Sequence, residues 1–83
     1  MTKMQINEQV NVTAVGFRKN LIVYPRRMEF RGNTYNFIDA GLRYLVRHGG
    51  LIAEFITMSD GDADYYLRSD NHGISWTLLS IYS

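Results

Sequence analysis

Hydrophobic and polar positions alternate over most of this chain, and alternation of that kind predicts β-strands. It is most consistent from Leu51 to Tyr82. Leu51 to Met58, Tyr65 to Arg68 and Ile74 to Tyr82 are rich in β-branched and aromatic residues. Asp60-Gly61-Asp62-Ala63 and Asp70-Asn71-His72-Gly73 separate them, and Gly and Asx residues tolerate the positive φ that tight turns often demand. If both loops have four residues, Met58 faces Tyr65 and Ile56 faces Leu67. Across the second hairpin Leu67 then faces Trp76, and Tyr65 faces Leu78. Side chains alternate with period two, so all of these share one apolar face. The other face carries Phe55, Thr57, Tyr66, Arg68, Ser75, Thr77 and Leu79. A two-residue Asp60-Gly61 loop is the competing reading; it pairs Glu54 with Leu67, which suits the face less well.

Upstream, residues 1–8 read as a polar, flexible lead-in, with 9–83 as a single domain. Val10 to Phe17 predicts a first strand in which Gly16 marks a bulge or a close backbone approach. Arg18-Lys19-Asn20 is a charged turn. Leu21 to Tyr24 is short and apolar, and Pro25 opposes regular central-strand pairing there. Arg26 to Ile38 predicts a hairpin about Gly32-Asn33, with Phe30 opposite Tyr35 and Met28 opposite Phe37. At Asp39–His48 the period changes. Ile38, Leu42, Leu45 and Val46 stand at i, i+4, i+7 and i+8, a helical stripe, with Asp39 as N-cap and Gly49-Gly50 as stop. Gly41 weakens that helix, and a strand from Leu42 to Arg47 is the alternative. The expected fold is α+β: a strongly bent antiparallel sheet or partly closed barrel of five to six strands, with one short helix at about 39–48 between strands 3 and 4. Its expected core is Ile56, Met58, Leu67, Trp76 and Leu78, together with Phe30 and Phe37.

Composition narrows the class. The chain has 83 residues, 46% of them hydrophobic, with one proline and no cysteine. That describes one small globular domain held by its core or by self-association, not by disulfides or thiolate metal sites. The start shows no apolar signal-peptide region, and no run approaches the ~20 apolar residues of a membrane helix. A cytoplasmic, non-membrane protein is expected. Net charge is +1 but uneven: residues 1–50 hold eight Lys/Arg against three Asp/Glu, a net +5, and residues 51–83 hold one against five, a net −4. Such a split fits a polyanion-facing side, a head-to-tail contact between copies, or merely loops of differing charge.

The strings 12–18 (Val-Thr-Ala-Val-Gly-Phe-Arg), 24–27 (Tyr-Pro-Arg-Arg), 35–43 (Tyr-Asn-Phe-Ile-Asp-Ala-Gly-Leu-Arg), 58–61 (Met-Ser-Asp-Gly), 67–71 (Leu-Arg-Ser-Asp-Asn) and 76–79 (Trp-Thr-Leu-Leu) resemble short uncharacterised proteins of Saccharibacteria, reduced-genome episymbiotic bacteria. The resemblance spans most of the chain. It implies an origin and carries no activity, ligand or site.

Little in the sequence carries chemistry. Asp60, Asp62 and Asp64 alternate as calcium ligands do, but the EF-hand positions for Gly and Glu hold Tyr65 and Asn71, so a solvated turn is the better reading. His72 near Asp70, Ser69 and Ser75 lacks the oxyanion hole and cleft that a Ser/His/Asp triad requires. His48 reads as a capping or solvated histidine. The glycines match neither a phosphate loop nor a dinucleotide fingerprint. No catalytic, cofactor or metal site is expected. What remains is a binding module. Protein–protein contact or self-association through Phe55, Tyr66 and Leu79 comes first, because they give the second face more apolar surface than a solvated sheet needs. The alternative is RNA or single-stranded DNA held by Arg18, Lys19, Arg26, Arg27, Arg31, Arg43 and Arg47 among interleaved aromatic rings.

Overall fold

The computed structural model describes residues 2–71 and 73–83. Seven antiparallel strands form one open sheet: β1 (Lys3–Phe17), β2 (Val23–Phe30), β3 (Asn33–Asn36), β4 (Leu42–His48), β5 (Leu51–Ser59), β6 (Asp64–Asp70) and β7 (Ser75–Tyr82). The order across the sheet is β3-β2-β1-β7-β6-β5-β4. No helix occurs among the described residues, so the domain is all-β and the α+β expectation is overturned.

The correction falls on Asp39–His48. Gly41 has φ +65° and the Asp39 carboxylate accepts a hydrogen bond from the Gly41 amide at 2.8 Å, an Asx turn rather than a helix cap. A Cβ at Gly41 would collide with the Thr57 carbonyl and Met58 Sδ, so this close approach to β5 needs glycine. From there Leu42 to His48 runs extended as β4, the alternative reading of that segment. Gly49 takes φ +62° in the two-residue turn that closes His48 on Leu51, as the first position of a type II′ hairpin requires. The helical stripe was a coincidence of spacing: Leu42, Tyr44, Val46 and His48 alternate with Arg43, Leu45 and Arg47.

β1 is the frame. Lys3 to Val10, including most of the segment read as a lead-in, pairs with β7, and Asn11 to Phe17 pairs with β2. Register shifts interrupt both ladders, between Gln5 and Glu8 and around Ala14. Bulges of this kind bend a strand and increase its twist. The β2–β3 hairpin is thereby folded across the meander β5–β7. β3 and β6 are four places apart in the sheet, yet the Tyr35 and Phe37 rings lie 5.3 and 5.4 Å from that of Tyr65. Between the two layers Val10, Met28, Phe30, Ile56, Met58, Tyr65, Leu67, Trp76 and Leu78 are buried, with Phe37 half-buried against them. Pro25 pairs with Val15 on one side, beyond the point where the β3 ladder ends at Arg27, a position where a missing N–H is tolerated.

Two registers differ from expectation by two residues next to their turns, an even step that preserves the faces there. The β2–β3 turn is Arg31-Gly32, both at positive φ, and pairs Met28 with Tyr35 and Phe30 with Asn33. In β6–β7, Leu67 pairs with Leu78 and Ser69 with Trp76, and a bulge between Tyr66 and Leu67 brings Tyr65 opposite Ile81. The first meander hairpin has the expected register, Met58 with Tyr65 and Ile56 with Leu67.

Candidate protein-contact surface

The β5 ladder to β6 stops at Glu54, whereas its ladder to β4 continues through Ala53, Ile52 and Leu51. The end of the β4–β5 hairpin therefore extends past the meander as a two-stranded ribbon. Its composition is not that of a solvated loop. In the ribbon Leu51 is 78% exposed, Ile52 57% and Val46 45%, and on the stretch of β4 that leads into it Leu42 is 75% and Leu45 51% exposed. Leu42, Val46 and Leu51 face one side, and Leu45 and Ile52 the other. A two-stranded ribbon has little stability of its own in water, and apolar residues on both faces give it none by burial within the chain.

On the outer face the ribbon is rooted in aromatic side chains. Tyr44 stacks on Phe55 at 5.7 Å and Phe55 on Tyr66 at 5.7 Å, and Tyr44 lies 6.0 Å from Tyr66, with interplanar angles of 10–21°. Strand pairing builds this group: Tyr44 is directly opposite Phe55, and Tyr66 lies diagonally across from it. Burial, then the neighbouring Tyr66 hydroxyl, pushes the Tyr44 phenol above its ordinary value, so it stays neutral. Beside the rings a groove of about 670 Å³ runs between Val46, Leu51 and Phe55 and a polar wall of Arg68 and Asp70. That wall is fixed: Arg68 donates to Asp70 at 2.9 Å and to Thr77 at 3.3 Å, and Thr77 donates to Asp70 at 2.7 Å.

Of the interface residues read from sequence, Phe55 and Tyr66 come together here. Leu79, half-buried, falls at the β7 bulge, between Leu78 and Ser80. Tyr44 and Val46 were missed because 39–48 was read as helical, the Gly49-Gly50 turn between two alternating runs being the signal for them; Leu51 was read on a strand but not among the interface residues.

Four of the seven basic residues are engaged within the chain. Arg18 is half-buried, lies over the Tyr24 ring at 5.6 Å, and donates to the carbonyls of Ala40 and Gly41, tying the β1–β2 turn to the start of β4. Arg43 is paired with Glu54 and Arg31 with Glu8, and Arg27 donates to Thr13 Oγ1 at 3.0 Å. Lys19, Arg26 and Arg47 are exposed, with Arg26 on β2 and Arg47 on β4, strands near opposite ends of the sheet order.

The acidic loop is a turn. Asp60 accepts hydrogen bonds from the amides of Asp62 and Ala63 at 2.9 Å and from the Tyr65 hydroxyl at 2.6 Å. Burial raises the Asp60 carboxyl, but the bonds from Tyr65, Ala63 and Asp62 outweigh it and hold it below the usual carboxylate value. Among the described residues no three His, Cys, Asp or Glu side chains are grouped to hold a metal ion, and no helix is long and apolar enough to cross a membrane. His72, the centre of the Ser/His/Asp reading, lies outside the described residues. Comparison with protein-family models, curated proteins and solved structures finds no match.

Proposed function

We propose that this chain is a non-catalytic protein-contact module working through the β4–β5 ribbon and the Tyr44–Phe55–Tyr66 stack. One observation carries the reading: the ribbon exposes apolar side chains on both faces where β5 has already left β6, and apolar patches of this kind are characteristic of binding surfaces. The nucleic-acid reading has less support. Arg18, Arg31 and Arg43 are engaged within the chain, whereas backbone binding draws on a continuous row of free cations.

Site-specific photocrosslinking tests the proposal. A photoreactive residue at Val46 in the full chain is expected to give protein adducts in cells, and one at Arg27, on β2, is not. Adducts from Arg27 with none from Val46, or adducts with nucleic acid alone, would exclude the ribbon as the contact surface.

A further inference from the structure

We propose that the occupant of this surface is a second copy of the chain, joined edge to edge through β4 about a twofold axis at Tyr44. The inference rests on the reading of the β4–β5 ribbon as a contact surface and names its partner.

β4 is a terminal strand of the sheet, paired with β5 alone among the described residues. A free edge of seven residues is a ready template for another strand unless a proline, an uncompensated charge or a bulge blocks it. β4 has no proline and a regular register with β5. The charge of Arg43 is spent on Glu54 behind it, which leaves the exposed Arg47 as the one arginine of the strand that a partner must compensate. The two-residue turn closing on His48 and Leu51 makes that pair a hydrogen-bonded one. Antiparallel ladders alternate, so the amides and carbonyls of Arg43, Leu45 and Arg47 point to the free edge.

A twofold axis perpendicular to the sheet keeps like faces together and must pass through one residue of β4. Centred on Leu45, it sets Arg43 opposite Arg47 of the second copy, and like charges directly opposite are destabilising. Centred on Val46, it sets Leu42 opposite Gly50 and Leu45 opposite Arg47. Centred on Tyr44, it brings Leu42 against Val46 and each Arg43 into a hydrogen-bonded pair with Leu45 of the other copy. The two aromatic stacks then meet at the axis. That register also places Arg47 of each copy beside Gly41 of the other, where the exposed Asp39 carboxylate is held 2.8 Å from the Gly41 amide. Two symmetry-related Arg47–Asp39 pairs result. This charge complementarity, together with a net charge of only +1, is what selects a second copy over a foreign strand.

The experiment is light scattering over a concentration series of the full chain, with thermal melts confirming that each variant is folded. The wild type is expected to reach twice the chain mass. Arg47→Asp alone and Asp39→Arg alone are each expected to weaken the dimer about tenfold, the scale of two exposed ion pairs. The combined Arg47→Asp/Asp39→Arg is expected to recover it. Leu45→Pro removes an edge-facing amide and should leave a monomer; if that variant does not fold, the charge swap decides by itself. A monomeric wild type at all concentrations overturns the inference. A dimer indifferent to these changes, or one that the double swap fails to restore, overturns it too. Monomer mass alongside Val46 adducts to other proteins would refute the second copy while leaving the ribbon as a contact surface.

Discussion

The sheet has two free edges, and they are built differently. β3 is four residues long, carries Asn33, Thr34 and Asn36, and is folded over the meander so that Tyr35 rests on Tyr65. β4 is seven residues long, carries Leu42, Tyr44, Leu45 and Val46, and continues with β5 past the meander. Short length, polar side chains and cover by the rest of the fold are how an edge is protected from unwanted pairing. β3 has all three; β4 is longer and uncovered among the described residues, and is polar at Arg43, Arg47 and His48 alone. Seven strands from one small chain thus yield an edge closed within the domain and an edge left open, and the apolar content of the two hairpins is divided between buried and exposed positions accordingly.

The largest effect that tests this division comes from truncating one apolar side chain in each hairpin. Met28 on β2 has no exposed surface, and Leu51 on β5 is 78% exposed. Met28→Ala should cost about 2–5 kcal/mol through lost burial and a cavity, enough to threaten a domain this size. Leu51→Ala should change monomer stability by less than about 0.5 kcal/mol. Urea melts at low protein concentration measure both. Comparable losses at the two positions would mean that the ribbon belongs to the core after all.

How far the sequence foretold this division depends on the hairpin. The meander was legible: its strands and apolar face are as read, and Ile56, Met58, Leu67, Trp76 and Leu78 are buried. Its second register moved because Asp70 pairs with Ser75, so that the turn falls one residue later than read, and a bulge beside Leu79, which has no signature in local alternation, moves Tyr65 further. The β2–β3 pairing also moved by two residues, since Arg31 rather than Asn33 takes the positive φ. The helix at 39–48 failed for a different reason. Leu42 and Val46, four residues apart, fit both periods, and the decision lay in Gly41, whose need for glycine comes from Thr57 and Met58 in a strand met later in the chain. Of the contact surface, Phe55 and Tyr66 were visible as surplus apolar residues. Tyr44 was not, because its place beside them depends on that same strand.

A smaller effect, in pH, probes the closed side. Asp60 holds the Tyr65 hydroxyl, and Tyr65 is the ring on which Tyr35 and Phe37 land. The folded carboxyl titrates below its unfolded value. Its contribution is therefore fully present above the unfolded carboxylate range and is lost as pH falls through the lower, folded value. Asp60→Asn should cost about 1 kcal/mol near neutrality and make the melting temperature less sensitive to acid. A variant whose acid sensitivity matches the wild type would remove Asp60 from the account of the closed edge.

The smallest expected difference lies in the ion pairs beside the two edges. Arg31–Glu8 is solvent-exposed, with the side chains 60% and 45% accessible, whereas Arg43–Glu54 is 26% and 18% accessible. Exposed pairs are screened and contribute about 0–1 kcal/mol. Arg31→Ala should therefore leave the melt almost unchanged, within about 0.5 kcal/mol. Arg43→Ala leaves Glu54 half-buried without its partner and should cost more, about 1 kcal/mol, with less relief from added salt. Arg43 also lies on the open edge, so its loss changes β4 where the proposed second copy would pair. The two variants separate these roles when melts are compared at low and high protein concentration. Arg31→Ala should shift neither melt, and Arg43→Ala should lose more at high concentration, where the edge is paired. An Arg31→Ala effect as large as that of Arg43→Ala would show that the exposed pair fastens the β2–β3 hairpin, and that the closed edge owes its closure to charge as well as to Met28, Phe30 and the rings on Tyr65.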